Sequence, residues 1–320
     1  MTKKLTVSDL LTHKRQTLGL ELLTPDVSTD RRIETATVSS PGVILAGFTD
    51  RTPMRRLQVL GETEIRFLES LDADALKRSV ETLLSLDMPA VFVTKSLTPP
   101  PLLLQMAAER GVPIIRSTAK TGEFFRRIQS YLEEQLAPTT TKHGSLADVY
   151  GVGLLFVGRS GIGKSECVLD LVERGHRVVA DDTVHITKRG NDVLIGRALE
   201  LQGHHMEIRG IGIIDIKALF GIRATRQQKR IEVVVQLEEW DRTAHYDRTG
   251  LDVLEEEILG VRIPKVIMPL NAGKNLTVLS EVVAMNHLLK FSGVHSAKLF
   301  NERLMNALRP LRDYLEEDYE

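Results

Sequence analysis

A glycine-rich loop in the second half of the chain constrains its fold more than any other segment. Residues 158–165 read GRSGIGKS and satisfy the pattern G-x-x-x-x-G-K-[ST], in which a strand leads into a phosphate-binding loop and then a helix. The apolar run VYGVGLLFVG leads into this loop, and an amphipathic helix with apolar residues from Val168 to Val172 follows. The sequence therefore predicts an α/β domain that binds the phosphates of a nucleotide.

The loop residues suit polyphosphate binding for chemical reasons. Glycines let backbone N–H groups wrap around phosphate oxygens, and the N-terminus of the following helix adds a partial positive charge. The Lys164 side chain supplies a cation for the β- and γ-phosphates, and the Ser165 hydroxyl is expected to be a ligand of Mg²⁺. The predicted nucleotide-binding residues are those of the loop: Gly158, Arg159, Ser160, Gly161, Ile162, Gly163, Lys164 and Ser165.

Two adjacent aspartates follow this helix after one short segment, RVVA, which predicts a strand. Asp181 and Asp182 then lie at the carboxyl end of that strand, where sites in parallel α/β sheets open. One carboxylate is the ordinary partner of Mg²⁺ in such a site, and a second can accept the proton of an attacking hydroxyl group. A solvated Asp–Asp turn before a hairpin is the structural alternative. The residues by themselves leave both interpretations open.

The chain length and the order of segments predict two domains. A chain of 320 residues is long enough for two hydrophobic cores. The stretch APTTTKHGS, residues 137–145, is the best linker candidate, which gives an N-terminal domain over 1–136 and a catalytic domain over 137–320. In the first domain, Ser8 is predicted to cap the first helix and residues 42–48 to form a buried strand. We interpret this domain as an accessory or assembly domain.

The predicted fold class is α/β, with an N-terminal α/β domain and a C-terminal P-loop kinase domain. Beyond the two aspartates, alternating residues on either side of Gly190–Asn191 predict a β-hairpin. The chain from about Glu281 onward has the pattern of helices. The P-loop domain is therefore expected to combine a mixed sheet with C-terminal helices.

Composition limits the partners. A formal net charge of −1 argues against a dominant basic surface, so no nucleic acid is expected. No segment approaches the roughly 20 apolar residues of a membrane span, so no membrane is expected either. Cys167 is the only cysteine, which excludes an intrachain disulfide and fits a cytoplasmic protein. His204 and His205 are adjacent, a spacing that does not aim both side chains at one metal from a strand.

Three further segments carry a resemblance to a known family. They are HHMEIRGIGIIDI from residue 204, KHGSLADVYGVGLLFVGRSGIGKSE from residue 142, and YDRTG from residue 246. Over essentially its whole length the chain resembles the bacterial HPr kinase/phosphorylase family. The resemblance implies an enzyme that uses ATP and Mg²⁺ to phosphorylate a serine of the phosphocarrier protein HPr. It also implies removal of that phosphate by inorganic phosphate, with release of pyrophosphate, and assembly as a homo-hexamer.

The resemblance implies roles for individual side chains. Asp182 would accept the serine proton during phosphorylation and donate a proton in the reverse reaction, with Asp181 assisting at the same site. His143 would position or charge-balance that carboxylate. Lys164 would act on the phosphates, and Arg248 would stabilise phosphate charge. Without the resemblance, a surface histidine at 143 and an exposed ion pair at Arg248 are the ordinary interpretations.

The same resemblance makes Ser165 and Glu207 the magnesium ligands and assigns importance to the segment from Met206 to Asp215 in both reactions. The alternation around Glu207 is also typical of a strand with this side chain on a solvated face. One segment departs from the family pattern, because MPLNAGKN has Lys274 where arginine is usual. Lysine retains a positive charge but lacks the planar fork of arginine, which places the efficiency of phosphorolysis in doubt.

Two other functions remain as alternatives. The first is a small-molecule kinase related to phosphoenolpyruvate carboxykinase, which would need an enclosed pocket and is disfavoured by the segment MEIRGIGIID. The second is a nucleotide-sensing regulator without phosphotransfer, which the near-neutral charge and the lack of a concentrated basic helix disfavour.

Overall fold

The computed structural model describes residues 5–49, 54–199, 205–241, 243, 254–271 and 275–317, with side chains described up to residue 308. The chain divides into two compact units, Met1–Ala137 and Pro138–Glu320. The sequence predictions for His204, Arg248 and Lys274 lie outside the described residues. None of the helices in the described ranges combines the length and the apolar character that a bilayer-spanning helix needs.

The first unit is a five-stranded sheet with helices on both faces, in the order β1-β5-β4-β3-β2. The strands β2 to β5 are parallel, and β1 is antiparallel to β5. Its elements are, in chain order, α1 Val7–Leu18, β1 Leu20–Leu22, β2 Val38–Ser39, α2 Gly42–Leu45, β3 Leu57–Leu60, α3 Glu62–Glu69, α4 Ala73–Leu84, β4 Val91–Val93, α5 Pro101–Glu109, β5 Ile114–Ser117 and α6 Thr121–Gln135.

Two sequence predictions in this unit are wrong. Residues 42–48 contain the short helix α2 rather than a strand, since a short apolar run with two buried residues, Ile44 and Leu45, suits either structure. Helix α1 is capped by Thr6 instead of Ser8, because Thr6 and Asp9 form a reciprocal capping box. Ser8 lies inside the first turn.

The second unit contains two packed sheets, a hairpin and a helical C-terminal part. Its elements are β6 Thr139–His143, β7 Ser145–Val149, β8 Val152–Val157, α7 Lys164–Glu173, β9 Arg177–Ala180, β10 Thr183–Arg189, β11 Val193–Arg197, β12 His205–Ile208, β13 Gly212–Asp215, α8 Ile216–Phe220, a 3₁₀ turn Ile222–Ala224, β14 Gln228–Arg230, β15 Val233–Glu239, β16 Leu254–Ile258, β17 Val261–Leu270, α9 Leu276–Phe291 and α10 Ser296–Glu317. This mixture of sheets with C-terminal helices confirms the predicted fold class.

The larger sheet has the order β16-β17-β15-β8-β7-β9. Strand β8 is buried on both faces. Successive side chains point to opposite sides of the sheet, and each side is covered by a different layer. Leu154 and Phe156 belong to the core with α7 and α9, whereas Leu155 and Val157 pack toward the second sheet, β14-β11-β10-β6. Since β7 is antiparallel to both β8 and β9, the latter two strands end at the same edge of the sheet.

The predicted linker over 137–145 is wrong. Thr139–His143 forms strand β6, paired with β10, and Ser145 begins the buried strand β7. Threonine is β-branched and favours strands, so a threonine-rich segment that also has proline and glycine admits both structures. The neighbouring strand β10 decides between them. The predicted hairpin is confirmed, with Arg189 opposite Val193 in the pair β10–β11.

A polar seam joins the P-loop helix α7 to α9. The buried carboxylate of Glu281 accepts hydrogen bonds from Arg174 Nε at 2.9 Å and Nη2 at 2.7 Å, and it lies 3.0 Å from His176 Nε2. The hydrogen bonds from Arg174, supported by His176, lower the pKa of Glu281 to about 2 against the cost of burial. Helix α9 is therefore held against α7 by a charged contact as well as by apolar packing.

Replacing Glu281 by glutamine should destabilise the protein by about 2 kcal/mol at neutral pH, because charged hydrogen bonds are lost from a buried site. A carboxylate with a lowered folded-state pKa stabilises the fold above its unfolded value near 4.5, and this contribution disappears as the pH falls toward about 2. The stability difference between wild type and Glu281→Gln should shrink over that range. Urea denaturation at a series of pH values measures it.

The matched control is Glu173→Gln, which changes an exposed carboxylate at the end of α7, next to Arg174. It should alter stability by less than about 0.5 kcal/mol at every pH. An equal effect of the two substitutions would contradict the role given to the seam.

Candidate active site

The predicted phosphate loop connects β8 to α7. Its glycines Gly161 and Gly163 have φ angles of +77° and +102°, a region of backbone conformation that favours glycine. The buried Lys164 side chain turns back over the loop and donates to the carbonyl oxygens of Gly158, at 3.1 Å, and Arg159, at 3.0 Å. The lysine ammonium group is thus held above the loop, where phosphates would lie.

Asp181 is the inner of the two adjacent carboxylates, and its exposed fraction is 8%. Its Oδ1 accepts a hydrogen bond from Ser165 Oγ at 3.0 Å and one from Ser145 Oγ at 2.5 Å. Burial raises the pKa of Asp181, and the two hydroxyl groups oppose this shift because they stabilise the charged form. The structure therefore joins this carboxylate to the serine that the sequence predicts to bind magnesium.

The donor set around Ser165 fits a divalent cation. A serine hydroxyl and a buried carboxylate are the hard oxygen ligands that Mg²⁺ takes beside phosphates, with water completing its shell. Within the described ranges, no group of three or more His, Cys, Asp or Glu side chains is arranged to hold a metal ion. A P-loop magnesium site does not need one, because the nucleotide supplies further oxygens.

Asp182 has a different environment although it is the next residue. It has φ +62°, and its side chain is 65% exposed, with Oδ1 at 3.2 Å from His143 Nδ1. The register of β6 and β10 places His143 opposite Thr183, and the Gly144 N–H donates to the Asp182 carbonyl oxygen at 3.0 Å. The structure thus brings His143 and Asp182 together at the open side of the site.

Lys164 is electrostatically coupled to both aspartates. Burial lowers the pKa of its ammonium group, whereas the charges of Asp181, Asp182 and Glu166 raise it. The buried Lys164 ammonium group and the buried Asp181 carboxylate therefore stabilise each other's charged form. This arrangement is suited to a phosphate group, because its negative charge would take over part of the stabilisation of the Lys164 ammonium group.

Glu207 lies on β12, where Met206 and Ile208 are buried in the core that includes α7. The Glu207 side chain is exposed, as the sequence alternation predicts. Its role as a magnesium ligand stays a prediction. In the same segment, the Arg209 guanidinium lies against the loop, such that a methyl group on Gly161 would fall 2.3 Å from its Nη1.

Sequence reasoning included Arg209 only as part of the segment from Met206 to Asp215. Its contact with the loop could not be derived, because the two segments are far apart in the chain. Arg159 was predicted only as a loop position, and its guanidinium forms an ion pair with Glu239 at the end of β15. Arg248 lies outside the described residues.

These features define a class of protein. A strand, a glycine-rich loop and a helix, with a serine–aspartate contact and a second aspartate beside a histidine, are the arrangement expected of a P-loop phosphotransferase. The chain matches the family descriptions "HPr Serine kinase N terminus" over residues 5–132 and "HPr Serine kinase C-terminal domain" over residues 134–304. The chain belongs to the HPr serine kinase family.

Two relatives that cover most of this chain agree with this assignment. A protein of Bacillus cytotoxicus named HPr kinase/phosphorylase is 45% identical over 289 residues, which is 90% of this chain and 94% of the relative. A protein of the same name from Chloroherpeton thalassium is 42% identical over 99% of this chain and 97% of its own. A solved structure, the Hpr(Ser) kinase/phosphatase from Coxiella burnetii, is 36% identical and covers 51% of this chain and 99% of its own, with a TM-score of 0.45.

Adding a methyl group to the loop should weaken nucleotide binding. Gly161→Ala introduces a side chain at φ +77° and displaces the Arg209 guanidinium, so we expect the affinity for ATP with Mg²⁺ to fall at least about tenfold. Gly175→Ala is the matched control, since Gly175 has φ +92° and no atom within 4 Å of the added methyl. Calorimetric titration compares the two.

In both variants the strained backbone alone should lower the free energy of unfolding by a similar amount, about 1 to 2 kcal/mol. Equal nucleotide affinities in the two variants would contradict the assignment of the loop as the phosphate site.

Proposed function

We propose that this protein is a bifunctional protein-serine kinase and phosphorylase whose substrate is the phosphocarrier protein HPr. In one direction it transfers the γ-phosphate of ATP to a serine of HPr, and in the other it transfers that phosphate to inorganic phosphate. The observation that carries the proposal is the separation of the two aspartates, with Asp181 on Ser165 and Asp182 beside His143. Membership of the HPr serine kinase family supports the choice of substrate.

In the kinase direction, the loop N–H groups and Lys164 hold the phosphates. Ser165 and Asp181 would hold Mg²⁺, with Glu207 as a further predicted ligand, and the ion would neutralise phosphate charge. The serine oxygen attacks the γ-phosphorus, the bond from that phosphorus to the β–γ bridging oxygen breaks, and ADP leaves, while the Asp182 carboxylate accepts the proton of the serine hydroxyl. The His143 ring orients that carboxylate through the 3.2 Å contact.

The reverse reaction uses the same groups. An oxygen of inorganic phosphate attacks the phosphorus of phosphoserine, and the bond from phosphorus to the serine oxygen breaks. Asp182 donates its proton to that oxygen, which yields the free serine and pyrophosphate. Arg248 is proposed to stabilise the phosphate charge. The substitution at Lys274 is proposed to make this direction less efficient than in relatives with arginine.

The exposure of the outer side chains supports a protein substrate. The side chains of His143 and Asp182 are 50% and 65% exposed, so a serine on the surface of another protein has access to the carboxylate. A kinase for a small metabolite usually encloses its substrate and excludes water. This exposure disfavours the alternative of a small-molecule kinase related to phosphoenolpyruvate carboxykinase.

Other parts of the proposal rest on the family alone. They are assembly as a homo-hexamer, a location in the cytoplasm, and an accessory or assembly role for the N-terminal domain over residues 1–136, with catalysis over 137–320. The family matches over residues 5–132 and 134–304 support this division of the chain.

The purified protein should phosphorylate HPr when ATP and magnesium are supplied. Asp182→Asn should lower kcat by about a hundredfold or more because the proton acceptor is lost, while ATP affinity stays within about twofold of wild type. Asp181→Asn should instead weaken the binding of ATP with Mg²⁺, because its carboxylate contacts Ser165. Phosphoserine is measured by mass spectrometry, and ATP binding by calorimetry. Failure of the wild type to phosphorylate a competent HPr would refute the proposal that HPr is the substrate.

The reverse direction is tested separately. Seryl-phosphorylated HPr incubated with the enzyme and inorganic phosphate should release one pyrophosphate for each serine freed, and Asp182→Asn should release neither at a comparable rate. Phosphate release without pyrophosphate would show hydrolysis in place of phosphorolysis.

A further inference from the structure

A cluster of three charged side chains includes Lys142, the residue before His143, and has no part in the mechanism above. Lys142 Nζ contacts Glu256 Oε1 at 2.7 Å, and Lys265 Nζ contacts Glu256 Oε2 at 3.1 Å. The three side chains are 37%, 19% and 23% exposed for Lys142, Glu256 and Lys265, so the cluster is partly shielded from water. Shielded ion pairs contribute more than fully exposed ones, which salt and water weaken.

Lys142 and His143 are consecutive residues of β6, and their side chains therefore point to opposite faces of the strand. Lys142 lies opposite the fully buried Val184, so it faces the larger sheet, where Glu256 stands on β16. His143 lies on the other face and reaches Asp182. One strand thus links the charged cluster to the proposed proton acceptor.

Strand β6 is at the edge of its sheet and, within the described residues, its ladder partner is β10. An edge strand has a ladder on one side only, so side-chain contacts made from its faces add to what holds it in place. The contact of Lys142 with Glu256 joins β6 to the larger sheet, which also carries the phosphate loop.

We infer that Lys142 is a positioning residue for phosphotransfer, acting through His143: its ion pair with Glu256 holds β6 so that His143 stays against Asp182. The inference rests on the proposed function, because Asp182 matters here as the proton acceptor. Glu256 is also held by Lys265, so removal of either lysine leaves this carboxylate with one cationic partner. Lys265 lies on β17 and not on β6, which makes it a matched control.

The experiment compares Lys142→Met with Lys265→Met in the HPr phosphorylation assay. We expect Lys142→Met to lower kcat about fivefold with the KM for ATP unchanged, because a misplaced acid–base group slows the chemical step without loss of nucleotide contacts. Lys265→Met should stay within about twofold of wild type. Lys142→Arg keeps the charge and should restore most of the rate.

Two further measurements distinguish positioning from general destabilisation. In a His143→Gln background, Lys142→Met should cause no further loss of kcat, because its effect passes through the histidine. The imidazole NMR signals of His143, assigned by their absence in His143→Gln, should shift in Lys142→Met and remain in place in Lys265→Met.

Equal losses in the two lysine variants, an undiminished loss in the His143→Gln background, or unmoved His143 signals would overturn the inference. The NMR comparison needs no substrate, so it decides the positioning role even if the wild type fails to phosphorylate HPr. Such a failure counts against the proposed function alone. Normal phosphorylation by the wild type and by Lys142→Met counts against the inference alone.

Discussion

The hydrogen bond from the Ser165 hydroxyl to the Asp181 carboxylate joins two segments that follow different strands of one sheet. The contact exists because β7 lies between β8 and β9 and runs against both, which brings the ends of those two strands to one edge. Ser145, at the start of β7, reaches the same carboxylate. Three neighbouring strands therefore converge on Asp181, and the positions of the loop and of Asp182 depend on that convergence.

The consecutive aspartates differ because the backbone turns between them. Asp182 adopts φ +62°, a conformation that aspartate tolerates better than most residues, and its side chain leaves the core while Asp181 remains inside. Burial raises the pKa of Asp181 and lowers that of Lys164, so the inner site contains opposite charges at a cost in solvation. A nucleotide with its cation would find this charge arrangement already assembled, which is the physical basis of electrostatic preorganisation.

The elements predicted well from sequence are those in which local pattern and tertiary environment agree. The strand–loop–helix unit around Lys164 and the hairpin that turns after Arg189 need only short-range signals. The errors arise where the local sequence fits two different structures equally well. Residues 42–48 suit a helical turn or a strand, and Thr139–His143 became a strand because β10 offers it a ladder. The contact of Arg209 with the loop has no local signal at all.

The amino-acid sequence was sufficient to predict a phosphate loop followed by two adjacent carboxylates, because glycine, lysine, serine and aspartate at this spacing serve few other chemical purposes. The family was carried by further segments, such as HHMEIRGIGIIDI. The family resemblance implied that His143 acts on Asp182, but neither it nor the residue pattern said that Asp181 is the aspartate that contacts Ser165. The division between the two aspartates depends on the order of strands β8, β7 and β9 and on the pairing of β6 with β10. Such contacts join residues far apart in the chain, and only the packed sheets bring them together.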